Sequence, residues 1–201
     1  MKSFAKIIVF VAAFAAALTA GAAVEIGQAA PDFTAKDING KTVKLSDFKD
    51  KVVVLEWVNP ECPIAMKHYE SGNMRDTQKI AAADGAVWIS INSAGYAGAQ
   101  GDYNDTQAAV WQKKNGFVTT AYVRDQSGTI GHAYNAQTSP HMYVITADGK
   151  LAYQGAIDSG NGSDIPTAKN YVKAARAAIK AGKPIEKTAT KAYGCSIKYG
   201  S

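Results

Sequence analysis

The sequence contains few of the residues and motifs that several well-defined functions require. It has two cysteines and three histidines among 201 residues, and it lacks a Walker loop, a zinc-binding spacing and a serine nucleophile elbow. Its basic residues are dispersed, without an arginine-rich run, so nothing favours nucleic-acid binding. No repeat, low-complexity segment or second domain is evident. These absences indicate one domain of ordinary length whose chemistry depends on a few side chains.

The N-terminal segment has the pattern of a secretory signal. Lys2 and Lys6 flank the start of the apolar run "IIVFVAAFAAALTA", and small residues follow at 20–22. This order predicts a signal peptide over residues 1–22. The alternative is a transmembrane anchor, but the run is shorter than the about 20 apolar residues of a membrane span. We therefore expect an exported protein without a stable membrane anchor, periplasmic in a Gram-negative organism and otherwise secreted, where a disulfide can persist.

The remaining chain is predicted to be one domain over residues 23–182, followed by a C-terminal tail over 183–201. The pattern predicts a β-hairpin turning at Asn39-Gly40, and a second turning at Asp148-Gly149. Three buried strands and four helical segments are predicted between and after the hairpins: strands at 51–58, 86–93 and 120–125, and helices at 62–83 with a break at Gly72, after Asn104 or Asp105, at 129–136 and at 165–182. This order predicts an α/β domain whose central mixed sheet has helices on both faces.

Cys62 lies where a predicted strand gives way to a helix. A helix N-terminus stabilises a thiolate through its unpaired N–H groups and its dipole. Pro63 has no N–H, which leaves the amides of Ile64 and Ala65 free to point at the sulfur. The position favours a reactive thiol, and the alternative is a buried, inert cysteine.

Two charged residues are further candidates. Glu56 lies in an apolar run, so it is either a buried proton acceptor near the thiol or a carboxylate directed towards a lysine or solvent. Arg124 ends a strand, where it would either stabilise a thiolate or a bound peroxide or remain a solvated surface group. His68 and His132 are interpreted as ordinary helix or surface residues.

The motifs together resemble a known family. The segments "APDFTAKDINGKTVKLSDFKDKVVVLEW" and "DQSGTIGHAYNAQTSPHMYVITADGKLAYQGAI", with the Cys62-Pro63 pair between them, are similar to redoxins over about residues 25–182. Redoxins are the alkyl hydroperoxide reductase/thiol-specific antioxidant, peroxiredoxin-like branch of the thioredoxin-like superfamily. The resemblance implies a thioredoxin-like fold with an N-terminal β-hairpin, a cis-proline at Pro140 facing the reactive cysteine, and Glu56 as a buried acid. The chain departs from relatives at Ala65, where a C-x-x-C motif has its second cysteine.

The resemblance implies a thiol-dependent oxidoreductase or peroxidase that needs no cofactor, and the predicted signal peptide implies that it is exported. Cys62 would attack a disulfide or hydroperoxide, Cys195 would resolve the product, and an external thiol reductant protein would restore both thiols. The tail is expected to fold back so that Cys195 approaches Cys62, unless the bridge forms between two subunits. Two other classes remain open: a copper-binding chaperone using Cys62, Met66 and His141, and a catalytically silent domain with a structural disulfide.

Overall fold

The computed structural model describes residues 24–200, so the predicted signal peptide lies outside the described residues. The strands are β1 (Thr34–Lys36), β2 (Thr42–Lys44), β3 (Val53–Trp57), β4 (Val87–Asn92), β5 (Ala121–Arg124), β6 (Thr138–Ser139), β7 (His141–Ile145), β8 (Leu151–Gly155) and β9 (Cys195–Ser196). The helices are α1 (Pro63–Glu70), α2 (Asn73–Ala83), α3 (Asp105–Lys114), α4 (Thr129–Ala133) and α5 (Tyr171–Lys180). A short 3₁₀ helix spans Leu45–Phe48.

A five-stranded mixed sheet forms the centre of the described domain. Its strand order is β5-β4-β3-β7-β8. β3, β4 and β5 run parallel, while β7 pairs antiparallel with both β3 and β8. The β1–β2 hairpin precedes the sheet and turns at Gly40, whose φ of +78° suits glycine. The predicted α/β class, mixed sheet and N-terminal hairpin are confirmed.

Side chains alternate between two buried layers along the central strands. On β3, Leu55 and Trp57 face a layer shared with the hairpin and α4. Val54 faces the other layer, which α1, α2, α3 and α5 cover and which also contains Cys62. Because both faces are covered, every residue of β3 and β4 is buried, which explains their mainly apolar composition. The reactive-thiol candidate therefore lies on the helix-rich side of the sheet.

Local signals explain most helix boundaries. Gly72, with a φ of +82°, separates α1 from α2 as predicted, and the Asn104 side chain caps α3 by accepting a hydrogen bond from the Gln107 amide. The helix predicted at 165–182 is shorter than expected. It begins at Tyr171 because the Asn170 side chain caps it through the Lys173 amide.

The C-terminal residues pack along the domain. Residues 183–200, here called the strap, first run beside the edge strand β8, where Ala189 pairs with Gln154. They then form β9, which pairs antiparallel with β6, with Cys195 opposite Ser139. Among residues 24–200, no helix combines the length and the apolar character that crossing a bilayer requires.

Candidate active site

Cys62 occupies the N-cap of α1 and is fully buried. Its side chain accepts a hydrogen bond from the Ala65 amide, with a nitrogen–sulfur distance of 3.5 Å. Its thiol donates to the Ser139 carbonyl oxygen at 2.9 Å. The geometry places the sulfur at the positive end of the helix, as expected from the Cys62-Pro63 pair.

The loop that faces Cys62 contains the predicted proline. The peptide bond between Ser139 and Pro140 is cis. Ser139 also fixes the loop before α1, since its hydroxyl accepts a hydrogen bond from the Asn59 amide at 2.7 Å. Sequence reasoning missed Ser139, and its position directly before Pro140 was the available signal.

Cys195 lies beside Cys62 although 133 positions separate them in the sequence. The β6–β9 pairing sets Cys195 opposite Ser139, the residue whose carbonyl accepts from Cys62. Burial, followed by hydrogen bonding to Cys62, raises the pKa of Cys195 to about 11, and the Ile64 amide partly opposes this. Both cysteines are free thiols, Cys62 buried and Cys195 partly exposed. The tail thus folds back onto the predicted site.

Glu56 is the centre of a buried hydrogen-bond network. Its carboxylate accepts hydrogen bonds from four side chains at 2.6–3.2 Å, and these donors come from α1, α2 and β4: Tyr69, Gln78, Trp88 and Ser90. No hydrogen bond joins Glu56 to either cysteine among residues 24–200. The carboxylate is buried, as one of the two interpretations predicted, and it ties two helices to the sheet.

The pKa of Glu56 leads to a prediction on stability. Burial raises this pKa above 4.5, against the lowering effect of the four donors. A raised folded-state pKa contributes stability below about pH 4.5, and that contribution is lost as pH rises through the folded-state pKa. The free energy of unfolding of the wild type, compared with that of Glu56→Gln, should therefore fall as pH rises. The fall should be about 1.4 kcal/mol for each pH unit by which the folded-state pKa exceeds the unfolded-state pKa. Urea unfolding at a series of pH values measures this, with Glu25→Gln at an exposed position as the control. A pH-independent difference would contradict it.

Arg124 lies at the end of β5 and is held by two carboxylates. Its guanidinium pairs with Asp102 at 3.3 Å and with Asp105 at 3.1 Å. Within the described chain, no hydrogen bond or ion pair connects it to Cys62. Its predicted role at the thiol therefore gains no support from these contacts.

The three residues suggested for copper do not converge. His141 pairs with Trp57 in the sheet register and packs against Tyr143, in the layer opposite Cys62. Its Nδ1 accepts a hydrogen bond from the Gln137 amide at 3.2 Å, and burial lowers its pKa to about 4. Met66 packs in the Cys62 layer. Strand alternation thus separates His141 from the other two residues, and the copper hypothesis is not supported.

His68 is the polar residue that sequence reasoning misjudged most. It is fully buried on α1, whereas the sequence interpretation placed it with ordinary helix or surface residues. Its ring is hydrogen-bonded to Asn73 at 3.1 Å and to the Tyr193 hydroxyl at 3.0 Å. No local signal predicts this, because Tyr193 is on the strap.

Comparison with known proteins assigns the family. The AhpC/TSA family model matches residues 26–154, which is more than half of the chain. The chain belongs to the AhpC/TSA family. Over 73 residues it is 38% identical to peroxiredoxin Bcp of Bacillus subtilis (strain 168), a match covering 34% of this chain and 43% of that protein. The match thus spans less than half the length of that curated relative.

Solved structures share the fold. A hypothetical protein of Sinorhizobium meliloti 1021 is similar with a TM-score of 0.77 and 23% identity, covering 90% of this chain and 98% of that chain. An uncharacterized conserved protein of Geobacillus kaustophilus has a TM-score of 0.74 and 22% identity, with coverages of 90% and 95%. The thioredoxin domain of a thiol-disulfide oxidoreductase of Bacteroides vulgatus has a TM-score of 0.53 and 18% identity, with coverages of 66% and 89%. The predicted thioredoxin-like fold is confirmed.

Proposed function

We propose that this AhpC/TSA family protein is a thiol-dependent oxidoreductase in which Cys62 is the nucleophile and Cys195 the resolving thiol. The observation that carries the proposal is the meeting of the two cysteines at the N-terminus of α1. The β6–β9 pairing brings Cys195 from the strap to Ser139, which also binds the Cys62 thiol. A second thiol held beside the first is the arrangement needed to release a trapped intermediate.

The environments of the two sulfurs support this division of roles. Cys62 caps α1, so its sulfur faces the positive end of that helix and accepts a hydrogen bond from the Ala65 amide. The pKa of Cys195, raised to about 11, keeps that thiol protonated at neutral pH. Because the thiolate is the attacking form, the protonated Cys195 thiol is assigned the second step and Cys62 the first.

The first step takes one of two forms, depending on whether the oxidant is a hydroperoxide or a disulfide. With a hydroperoxide, the Cys62 thiolate attacks the terminal oxygen, the O–O bond breaks, and a sulfenic acid and an alcohol form once a proton is taken up. With a disulfide, the thiolate forms a mixed disulfide with one sulfur and the other leaves as a thiolate. The hydroperoxide is thereby reduced by two electrons in this one step, whereas reduction of a disulfide is completed only when Cys195 releases its second half.

The second step forms the Cys62–Cys195 disulfide. Cys195 gives up its proton and attacks the Cys62 sulfur, which releases water from the sulfenic acid or a thiolate from the mixed disulfide. An external dithiol then supplies two electrons and restores both thiols. We also propose that the protein is exported, because the apolar run after Lys6 has the pattern of a secretory signal. In an oxidising compartment the disulfide can persist.

Rapid-mixing oxidation of the reduced protein tests the proposal and identifies the substrate class. Hydrogen peroxide and glutathione disulfide are offered separately to the wild type and to Cys62→Ser. We expect the wild type to consume one of them faster than free cysteine does, and the variant to consume neither. Equal consumption by wild type and variant, or a wild type no faster than free cysteine with both oxidants, would overturn the assignment of Cys62.

A further inference from the structure

The strap is fastened on both sides of Cys195 by a tyrosine. Towards the C-terminus, the Tyr199 ring stacks on His132 with centroids 4.1 Å apart, and its hydroxyl donates to the Ala136 carbonyl at 2.7 Å. Towards the N-terminus, Tyr193 reaches across to α1 and to the segment after β8, where it meets His68 and Asp158. Tyr193 is two residues from Cys195, and His68 belongs to the helix that Cys62 caps. The hydrogen bonds of Tyr193 therefore connect the strap, which carries Cys195, to α1, whose N-cap is Cys62.

The hydrogen bonds around Tyr193 close into one consistent network. Its hydroxyl donates to Asp158 Oδ1 in a short hydrogen bond, and the single hydroxyl proton is then used. His68 Nε2, at 3.0 Å, must accordingly donate to the tyrosine oxygen. His68 Nδ1 accepts a hydrogen bond from the side-chain amide of Asn73, and that same nitrogen also donates to Asp158 Oδ2 at 2.7 Å. Every polar atom of this network has a partner when His68 is neutral. Burial lowers the pKa of His68, which also favours the neutral ring.

The strap also covers Cys62. Cys62 is fully buried, and its sulfur contacts the Ser139 carbonyl, the Ala65 amide and Cys195. A substrate can reach this sulfur only when the strap moves away. The same strap must then return for Cys195 to form the disulfide.

We propose that Tyr193 is a positioning residue of the redox centre, whose hydroxyl fastens the strap to His68 and Asp158 and so holds Cys195 against Cys62. The inference rests on the proposed function for the role of Cys195. Loss of the hydroxyl leaves the strap open more often, with two opposite consequences: the Cys62 thiol becomes more accessible, and closure of the Cys62–Cys195 disulfide becomes slower. A merely structural role would not move the two reactions in opposite directions.

Tyr193→Phe tests this because it removes the hydroxyl and keeps the ring. Two rates are measured on the reduced full chain. The first is alkylation of Cys62 by iodoacetamide, followed on the Cys62 peptide by mass spectrometry. The second is disulfide closure after reaction with 5,5′-dithiobis(2-nitrobenzoic acid), followed by release of the second coloured thiolate. Since hydrogen bonds to a charged acceptor are about twice as strong as neutral ones, we expect roughly tenfold faster alkylation and roughly tenfold slower closure.

Two further variants keep the test decisive. Tyr134→Phe removes a hydroxyl that donates to the Pro31 carbonyl at 2.7 Å, away from the strap, and should leave both rates unchanged. Asp158→Asn removes the acceptor charge and should repeat the effects of Tyr193→Phe, which decides the matter if Tyr193→Phe does not fold. Unchanged rates in the Tyr193 and Asp158 variants, or equal changes in Tyr134→Phe, would overturn the inference. A wild type that forms no Cys62–Cys195 disulfide would instead refute the proposed function, and the alkylation rates would still decide the role of Tyr193.

Discussion

Replacing Cys195 with serine is expected to stop the reaction after a single chemical step. In the wild type, the β6–β9 pairing holds Cys195 beside Cys62, so resolution is intramolecular. Intramolecular reactions of well-placed groups correspond to effective concentrations of about 10⁵ M or more, whereas an external thiol is present at millimolar concentration or less. Turnover of Cys195→Ser with an external dithiol should therefore fall by at least about two orders of magnitude.

The same variant should accumulate the first intermediate. With 5,5′-dithiobis(2-nitrobenzoic acid), the wild type is expected to release two coloured thiolates per chain. Cys195→Ser is expected to release one and to keep the other attached at Cys62, as intact-mass measurement would show. Cys62→Ser is the matched control, since it lacks the nucleophile and should show no redox turnover. Turnover of Cys195→Ser at the wild-type rate would rule out the resolving role.

Replacing Gly194 with alanine is expected to displace the strap from the active site. Gly194 has a φ of +129°, and a β-carbon there would lie 2.0 Å from the Ser139 carbonyl oxygen. That oxygen also accepts the hydrogen bond of the Cys62 thiol. Backbone strain of this kind costs about 1–3 kcal/mol before the steric overlap is counted. The rate of disulfide closure should therefore fall by about tenfold or more.

Gly182→Ala is the control for this substitution. Gly182 also has a positive φ, +62°, but a β-carbon there would have no atom within 4 Å. Gly182→Ala should therefore share the general cost of alanine at positive φ while leaving closure near the wild-type rate. Closure kinetics of the two variants, with thermal unfolding to compare their stability, provide the measurement. Equal closure rates in the Gly194 and Gly182 variants would show that the contact with Ser139 does not position Cys195.

The sequence predicted the parts of the site whose signals are local. A strand, a cysteine and Pro63 in succession predict Cys62 at the start of a helix, and the segment similar to redoxins predicts a cis-proline at Pro140; the structure contains both features. The hairpins, the Gly72 break and the Asn104 cap also depend on neighbouring residues, and the structure contains all of them. These features needed no knowledge of distant contacts.

The features that were missed depend on contacts between distant segments. His68 is buried, and one of its hydrogen-bond partners, Tyr193, lies 125 positions later in the sequence. The position of His141 relative to Cys62 depends on which face of the sheet the helix after β3 covers, and strand alternation alone does not determine this. The strap, residues 183–200, lies wholly beyond residue 154, where the match to the family ends, so the family resemblance did not predict its hydrogen bonds.

Peptide mapping of the oxidised protein under non-reducing conditions tests the central claim most directly. The reduced protein is treated with one equivalent of oxidant, the remaining thiols are blocked, and proteolytic peptides are identified from monomeric material. Because Cys195 lies opposite Ser139 beside Cys62, the account predicts a disulfide between Cys62 and Cys195 within one chain. Monomers in which both thiols are still recovered blocked after the oxidant has been consumed, or a bridge found only in covalent dimers, would contradict it.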